Sequence, residues 1–415
     1  MDGPDRTLLA RRTPGAPLED HGKQIDMVRL RAYRLRRLQE QLRERDYGAC
    51  VLFDPINIRY ATGSRNMQVW CLHNAARYAF VPAEGRTVLF EFHGITHTAD
   101  GLEIIDEVRP ATSWYFFAAG NRIAEKARQW AAEVAELMRE RCGGNRRLAL
   151  DHADPAGARA LEALGIEVFG GQEPCERARA IKSADEIACM SVTISVCEAG
   201  MARMREALRP GVTENQLWAL LHETNIANGG EWIETRLLSS GSRTNPWFQE
   251  SSDRTIRAGE LVAFDTDLIG PFGYCADISR TFFCEPGRPS EAQRRLYAAA
   301  YEHLQRNVEL VRPGMSLREY VEKSDRLPDI YAANRYPVVM HGVGMCDEWP
   351  DAPYPQDWER SGYEGVIEEG MTLCVESYIG EEGGAEGVKL EDQVLVTADG
   401  VQRLSTFPFE DVLLR

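Results

Sequence analysis

Residues Leu261–Phe283 read LVAFDTDLIGPFGYCADISRTFF and are the most informative part of the chain. Two runs rich in β-branched and aromatic residues flank Gly270–Gly273, which predicts a β-hairpin. Asp265 and Asp267 lie two residues apart on the first strand and should face one side, and Asp277 on the returning strand can converge on them. Charged side chains in an apolar strand are costly unless they are paired or bind a metal. From the hairpin alone, a metal site and a partly exposed strand with solvated acids are equally open.

Three later segments each bring one more potential ligand. His341, Glu376 and Glu391 each lie at the end of an apolar run or within one. A single buried His is usually a core residue and a single strand Glu usually lies at an edge, but several strands that each supply one ligand favour a metal centre. Carboxylates with one imidazole suit divalent ions such as Fe, Mn, Co or Zn. Bridging carboxylates would hold two such ions about 3.5–4 Å apart.

The N-terminal part of the chain alternates strand and helix patterns. Apolar strands are expected at 49–53, 87–92 and 148–151, and a long helix is expected at 123–141. This alternation predicts an α/β layer structure. Residues 1–24, rich in Pro, Arg and Asp, are expected to form an arm outside the core.

Long helices begin near residue 180, and two of them share a lead-in. The sequence LRPGVT at 208–213 recurs as VRPGMS at 311–316, which is 103 residues later. Thr213 and Ser316 are placed to cap the helix that follows. Arg-Pro-Gly followed by a hydroxyl residue is also common in ordinary loops. Its recurrence in the same helix–loop–helix context predicts a duplicated half-domain.

Composition excludes several classes of protein. The chain has 415 residues, and 64 acidic against 48 basic residues give a net charge of −16. A surface this acidic repels phosphate backbones, so no nucleic-acid partner is expected. The 44% hydrophobic content argues against disorder. We expect no membrane span, because no apolar run approaches about 18 residues. The N-terminus shows no secretory signal, and the ten Cys form no CxxC pair. Both features predict a cytoplasmic protein whose thiols are reduced.

The order of the potential ligands resembles that of a known family. The order resembles that of the pita-bread metalloenzymes, in which the motifs are Asp, Asp, His-Gly-x-Gly, Glu and Glu-Asp. These enzymes include methionine aminopeptidase, prolidase and creatinase. Residues 179–186 and 277–282 also match this family, and Ile56–Gly63 is similar to the creatinase-type N-terminal domain. The implied fold is α/β (α+β). It comprises a creatinase-like α/β domain at 25–175 and a pita-bread catalytic domain with an internal pseudo-two-fold repeat at 176–415.

The resemblance also implies a metal site and an assembly. Proteins with this N-terminal domain are commonly homodimers, in which that domain covers part of the neighbour's active site. The implied centre holds two divalent transition-metal ions, with Fe suggested by the resemblance and Mn, Co, Ni or Zn as alternatives. Its implied ligands, with Asp265 as a candidate sixth, are Asp267, Asp277, His341, Glu376 and Glu391.

The chain differs from the peptidases of this family at residues that those enzymes use in catalysis. Asp265 lies 12 and Asp267 lies 10 residues before Asp277, whereas peptidases space their first two ligand Asp by 11. Trp247 follows Pro246 where peptidases carry a His after the Pro. A second peptidase His, shortly after His-Gly-x-Gly, is absent because the chain reads MCDE there. The ligands are therefore kept, while both imidazoles that peptidases use on amides are missing.

An acid takes the place of the second imidazole. Asp347 stands six residues after the His of the expected centre. It could act as a general base with a pKa raised by partial burial, or be a loop acid without function. Aromatic residues with carboxylates favour a cationic ligand without a transferable proton, such as a sulfonium. Three tryptophans, Trp247, Trp349 and Trp232, are candidate substrate contacts.

These features resemble the pita-bread lyases of marine bacteria that cleave dimethylsulfoniopropionate (DMSP) to acrylate and dimethyl sulfide. In such a β-elimination a metal-bound carboxylate acidifies its α-carbon, a base removes that proton, and neutral sulfide leaves the β-carbon. The resemblance implies a carbon–sulfur lyase with Asp347 as the base and Tyr336 near the substrate. Three alternatives stay open: an Xaa-Pro metallopeptidase with a rearranged site, a metal-free creatinase-like hydrolase, and a non-catalytic binding protein on the same fold. The intact ligand set disfavours the last two.

Overall fold

The structure is a computed structural model that describes residues 25–152 and 154–415. These residues form two compact units, the first of 26–179 and the second of 180–415 together with Ile25. The arm expected at residues 1–24 lies outside the described residues. All ten cysteines are within the described residues, and all are free thiols, as expected.

A six-stranded mixed sheet, with strand order β4-β3-β2-β1-β5-β6, forms the first unit. Trp130 of its long helix packs in the core with Tyr78 and Phe90 of the sheet. The predicted alternation of strands and helices is confirmed. The elements are α1 (Met27–Glu44), β1 (Ala49–Leu52), α2 (Pro55–Thr62), α3 (Gln68–Cys71), β2 (Tyr78–Pro82), β3 (Thr87–Glu91), β4 (Ile105–Pro110), α4 (Phe116–Ala119), α5 (Ile123–Arg141), β5 (Arg147–Leu150), α6 (Pro155–Glu162), β6 (Glu167–Gly170) and α7 (Gln172–Ala180).

The second unit contains a five-stranded antiparallel sheet, β14-β13-β15-β16-β17, and two three-stranded sheets, β12-β9-β8 and β11-β10-β7. Its helices are α8 (Ala184–Ala207), α9 (Glu214–Ala227), α10 (Glu291–Leu310), α11 (Leu317–Lys323), α12 (Asp329–Ala332), α13 (Trp358–Ser361) and α14 (Asp411–Leu414). Its strands are β7 (Trp232–Ile233), β8 (Leu238–Ser240), β9 (Leu261–Phe264), β10 (Leu268–Ile269), β11 (Cys275–Ala276), β12 (Arg280–Phe283), β13 (Val338–Val343), β14 (Asp347–Pro353), β15 (Thr372–Gly380), β16 (Gly387–Thr397) and β17 (Gly400–Arg403).

Two matching helix junctions confirm the predicted repeat within this unit. LRPGVT joins α8 to α9, and VRPGMS joins α10 to α11. Gly211 N donates to Ile256 O at 3.0 Å in the first junction, and Gly314 N donates to Ile367 O at 2.8 Å in the second. In both, the isoleucine N–H donates back to the residue after the glycine. In both, the hydroxyl residue two positions after the glycine caps the next helix.

The hairpin is confirmed, but its strands are interrupted. β9 pairs antiparallel with β12, and β10 pairs antiparallel with β11. The expectation that Asp265 and Asp267 lie on one regular strand is wrong, because regular pairing stops at 265–267 and again at 277–279. Asp267 has φ +35°, outside the extended region. Thr266 Oγ1 replaces ladder bonds, since it donates to a backbone carbonyl and accepts a backbone N–H of the returning segment, both at 2.9 Å.

Within the described ranges, one helix, α8, has the length and apolar composition of a membrane span. The lengths of the apolar runs in the sequence predict no segment of this kind. Of its most apolar window, 67% is buried inside the protein. Cys197, Met201 and Met204 of α8 belong to a buried core cluster with residues of β9 and β12. The apolar character of α8 therefore fits the packing of a core helix.

Candidate metal centre

Three buried aspartates meet where the hairpin strands are interrupted. One carboxylate oxygen from each of Asp265, Asp267 and Asp277 lies within 4.8 Å of the other two. Thr235 Oγ1 donates to Asp267 Oδ2 at 2.7 Å, and Ser279 Oγ lies 2.6 Å from Asp265 Oδ1. Such hydrogen bonds orient carboxylates, as the outer partners of metal ligands do. Acids this close together require bound protons or cations to relieve their repulsion.

His341 on β13 connects these aspartates to glutamates of two neighbouring strands. Its Nε2 lies 3.3 Å from Asp277 Oδ2, 3.4 Å from Glu391 Oε1 and 3.6 Å from Glu376 Oε1. The two glutamates face each other in the ladder between β15 and β16. His341 Nδ1 lies 3.0 Å from Gly342 O. If Nδ1 donates that bond, Nε2 is left with a lone pair for a metal. The structure thus brings all six sequence-predicted ligands into one cluster.

Lys389 was not predicted from the sequence, and it lies inside this cluster. The side chain is fully buried, with Nζ 2.7 Å from Glu376 Oε2, 2.9 Å from Glu391 Oε2 and 3.2 Å from Asp265 Oδ2. Nζ also lies 2.9 Å from Ser279 Oγ. A signal was present in the sequence, because Lys389 precedes the candidate ligand Glu391 by two residues in an apolar run and must share its face of the strand. A Lys in such a run is almost never buried unless it is paired.

Cys374 also lies against the cluster. Its Sγ is within 4.8 Å of ligand atoms of Asp277, His341 and Glu391. Cys374 is a buried free thiol. Its position two residues before Glu376 on β15 was the available signal, since both side chains point to the same side of the strand.

The crowded acids have shifted protonation equilibria. Burial and the neighbouring carboxylates raise the pKa of Asp267 and Asp277 well above their usual range. Burial raises the pKa of Glu376 to about 8, although Lys389 opposes this shift. Burial also disfavours ionised Glu391, but Lys389 and His341 outweigh that effect and lower its pKa. Metal binding to this cluster must therefore displace protons.

The donor set fits divalent metal ions. Asp277 Oδ1 and Glu391 Oε1 are buried and accept no hydrogen bond from the part of the chain that the structure describes. Buried acceptors are normally satisfied, so these oxygens are available to a cation. Five carboxylates and one imidazole form the mixed O and N set that such ions bind. With one lysine against five carboxylates, the fully ionised cluster carries a large negative charge that bound cations would balance.

Asp347 lies at the rim of the cluster, at the start of β14. Its side chain is 57% exposed, and Oδ1 lies 3.9 Å from His341 Nδ1. Partial desolvation raises the pKa of Asp347, against the opposing effect of His341. The next acid, Glu348, is instead held in a buried ion pair, with Oε2 2.9 Å from Lys182 Nζ. Of the two neighbouring acids, Asp347 is the exposed one beside the histidine.

The predicted aromatic residues divide into two groups. Tyr336 lies beside the cluster, with its ring centroid 4.6 Å from Lys389 Nζ. Trp247 is buried and packs in the same small group of side chains as Tyr336. Trp349 packs instead against the main core of the second unit, and Trp232 lies on the short strand β7. Tyr336 thus lies beside the cluster and Trp247 packs in the same group of side chains, whereas Trp349 and Trp232 are placed by core and sheet packing.

Comparison with known families covers both units. The model of metallopeptidase family M24 matches residues 188–398, and that of the creatinase/prolidase N-terminal domain matches residues 34–181. The Xaa-Pro dipeptidase from Bacillus anthracis superposes with a TM-score of 0.72 at 22% identity, covering 92% of this chain and 99% of that chain. The prolidase from Pyrococcus horikoshii OT3 gives a TM-score of 0.71 at 22% identity, covering 91% and 99%. At this identity the likeness shows the fold alone.

Curated relatives are more informative. The dimethylsulfoniopropionate lyase DddP of Roseovarius nubinhibens is 43% identical over 94% of this chain and 88% of its own length. The DddP of Roseobacter denitrificans is 40% identical over the same shares. An Xaa-Pro dipeptidase of Pyrococcus furiosus is 31% identical over 55% of this chain and 63% of its own length. The chain therefore belongs to the M24 family with a creatinase/prolidase-type N-terminal domain, and within it to the group that contains the DddP lyases.

Proposed function

We propose that this chain is a metal-dependent carbon–sulfur lyase that cleaves DMSP to acrylate and dimethyl sulfide. The observation that carries the proposal is 40–43% identity to two DMSP lyases over 94% of the chain. The site supports it, because the buried acids and His341 lie close enough together to hold metal ions. The positions of both peptidase imidazoles carry other residues, with Trp247 at the first and Asp347 at the second.

The cluster is proposed to hold two divalent ions, Fe by family resemblance with Mn, Co, Ni or Zn as alternatives. The proposed ligands are Asp265, Asp267, Asp277, His341, Glu376 and Glu391. Charge supports two ions, since five carboxylates and Lys389 leave a formal charge that two divalent ions would neutralise. When bound, such ions would supply the positive charge that holds the substrate carboxylate and stabilises charge developing on its α-carbon.

Asp347 is proposed as the general base. It is exposed enough to meet a substrate at the cluster, and its raised pKa makes it a better proton acceptor. Its carboxylate takes the proton from the carbon next to the substrate carboxylate. The electron pair of that C–H bond forms the double bond of acrylate. The C–S bond breaks with its pair on sulfur, and neutral dimethyl sulfide leaves. Asp347 then passes the proton to water.

Four aromatic residues are proposed on the substrate side, Tyr336, Trp247, Trp349 and Trp232. The position of Tyr336 beside Lys389 supports its inclusion. A cytoplasmic homodimer that binds a small sulfonium substrate, without nucleic acid or membrane, completes the proposal. Ten free thiols support a reducing compartment.

An Xaa-Pro metallopeptidase with a rearranged site is the second candidate. The 31% identity to the Pyrococcus furiosus dipeptidase favours testing it. It would need another group to do the work of the two missing imidazoles. A non-catalytic binding protein is a poorer fit, because nothing in such a protein requires a buried cluster of five acids.

The test is headspace dimethyl sulfide from the metal-loaded protein given DMSP, with release of proline from an Xaa-Pro dipeptide measured in parallel. We expect dimethyl sulfide with one equivalent of acrylate, and no proline. Proline without sulfide would establish the peptidase instead. Binding of DMSP without either product would establish the binding protein.

A further inference from the structure

Phe248 combines a strained backbone with an exposed ring. Its φ is +69°, a conformation that is costly for a bulky L-residue. Its side chain is 55% exposed, whereas the neighbouring Trp247 is buried. Strain of this kind persists where the surrounding structure imposes it, and it clusters at ligand-binding sites.

Hydrogen bonds on the N-terminal side fix the backbone that leads into Phe248. Tyr378 Oη donates to Thr244 O at 2.8 Å, and Gly387 N donates to Thr244 Oγ1 at 2.9 Å. Asn245 Nδ2 donates to Glu381 O at 2.8 Å. Tyr378 follows the ligand Glu376 on β15, so the loop is attached to a strand that carries the metal cluster.

The C-terminal side is fixed as well. Leu237 and Glu250 form an isolated β-bridge, and Ser251 N donates to Arg236 O at 2.8 Å. Phe248 therefore lies in a short span between two attached segments, and its positive φ is imposed by both.

The ring of Phe248 packs on a tyrosine that lies beside the cluster. The ring of Phe248 stacks on Tyr336 with centroids 5.1 Å apart and planes 23° from parallel. Lys389 Nζ lies 4.6 Å from the Tyr336 centroid and contacts the ligands Glu376 and Glu391. Phe248 is thus separated from the metal ligands by one aromatic ring and one lysine. Phe248 is 55% exposed, so part of its surface is open to a ligand.

We propose that Phe248 is a specificity-determining residue whose ring contacts the methylated onium group of a substrate held by its carboxylate at the metal cluster. This inference rests on the proposed function for the identity of the onium group. An aromatic face attracts a cation that cannot lose a proton, and the attraction grows when water is excluded. The backbone strain then serves to hold the ring in the path of the substrate.

Two competitive ligands of equal shape test this inference on the metal-loaded protein. They are 3-(trimethylammonio)propanoate and its neutral isostere 4,4-dimethylpentanoate, in which carbon replaces the charged nitrogen. Titration calorimetry of the wild type should show a preference of about 2- to 30-fold for the cation, the range that a cation–π contact provides. Phe248→Leu should reduce that preference to within about twofold of unity and leave the affinity for the isostere nearly unchanged. Phe248→Tyr should retain the preference.

Phe248→Gly separates binding from folding, because glycine adopts φ +69° without strain. We expect its melting temperature to equal or exceed that of the wild type while the preference for the cation is lost. A wild-type protein without a preference for the cation, or variants that lose both ligands equally, would overturn the inference. If DMSP yields dimethyl sulfide but the preference for the cationic ligand does not depend on Phe248, this inference is overturned and the proposed reaction stands. A Phe248-dependent preference without sulfide release overturns the proposed reaction and leaves onium recognition standing.

Discussion

Replacing Lys389 with Met tests how the cluster is held together. At an effective dielectric constant of about 20, each contact of 2.7–3.2 Å between Nζ and a carboxylate oxygen contributes about 5–6 kcal/mol of Coulomb attraction. The cost of burying the charges and proton uptake by the remaining acids offset most of this attraction. Removing Lys389 should therefore lower the free energy of unfolding by about 3–5 kcal/mol. At about 2–4 °C per kcal/mol, the metal-free variant should melt about 6–20 °C below the metal-free wild type.

Metal should reverse most of this loss, because divalent ions neutralise the acids that Lys389 leaves behind. Scanning calorimetry with and without metal measures both differences. Lys182→Met is the matched control, since Lys182 is equally buried but pairs with Glu348 outside the ligand set. That variant should lose the same stability in both states. If Lys389→Met melts like the wild type without metal, or loses as much with metal as without it, the charge argument is refuted.

Three further predictions concern the ligands and the base. Asp347→Asn should lower kcat by about 10²- to 10⁴-fold, the usual contribution of a general base, while the metal content measured by atomic emission stays unchanged. Asp351→Asn, on the same strand, is the control, and an Asp347→Asn variant that keeps its activity would assign the base role to another group. Asp277→Ala should lose metal and activity together, because it removes a proposed ligand whose Oδ1 accepts no hydrogen bond among the described residues. Full metal occupancy in this variant would contradict the proposed role. The pKa of Glu376, raised by burial to about 8 from 4.5, means that the metal-free folded state holds a proton which the unfolded state releases. The stability of the metal-free protein should therefore fall as pH rises toward about 8. Thermal melts from about pH 5 to 8 measure this fall, and the metal-loaded protein should not show it.

Sequence patterns predicted the strands that carry the candidate ligands, because each of these residues lies in a segment whose local signal is strong. The hairpin around Gly270–Gly273 and the apolar runs that carry His341, Glu376 and Glu391 all form strands. The route by which the acids converge was not predictable from alternation. Asp267 reaches the cluster through a strand interruption that Thr266 stabilises by bonds to the opposite segment. Those bonds depend on strand pairing, which residue spacing does not specify.

The sequence by itself determined the repeat, the helix caps and the identity of the donor atoms, since periodicity and capping act over a few residues. Only the tertiary structure decided which charges meet. It placed Lys389 among three carboxylates, and it paired Glu348 with Lys182, 166 residues away. It also imposed the strained φ of Phe248 from both flanking segments. The physical reason is that Coulomb energy depends on separations near 3 Å, which the packing of distant strands sets.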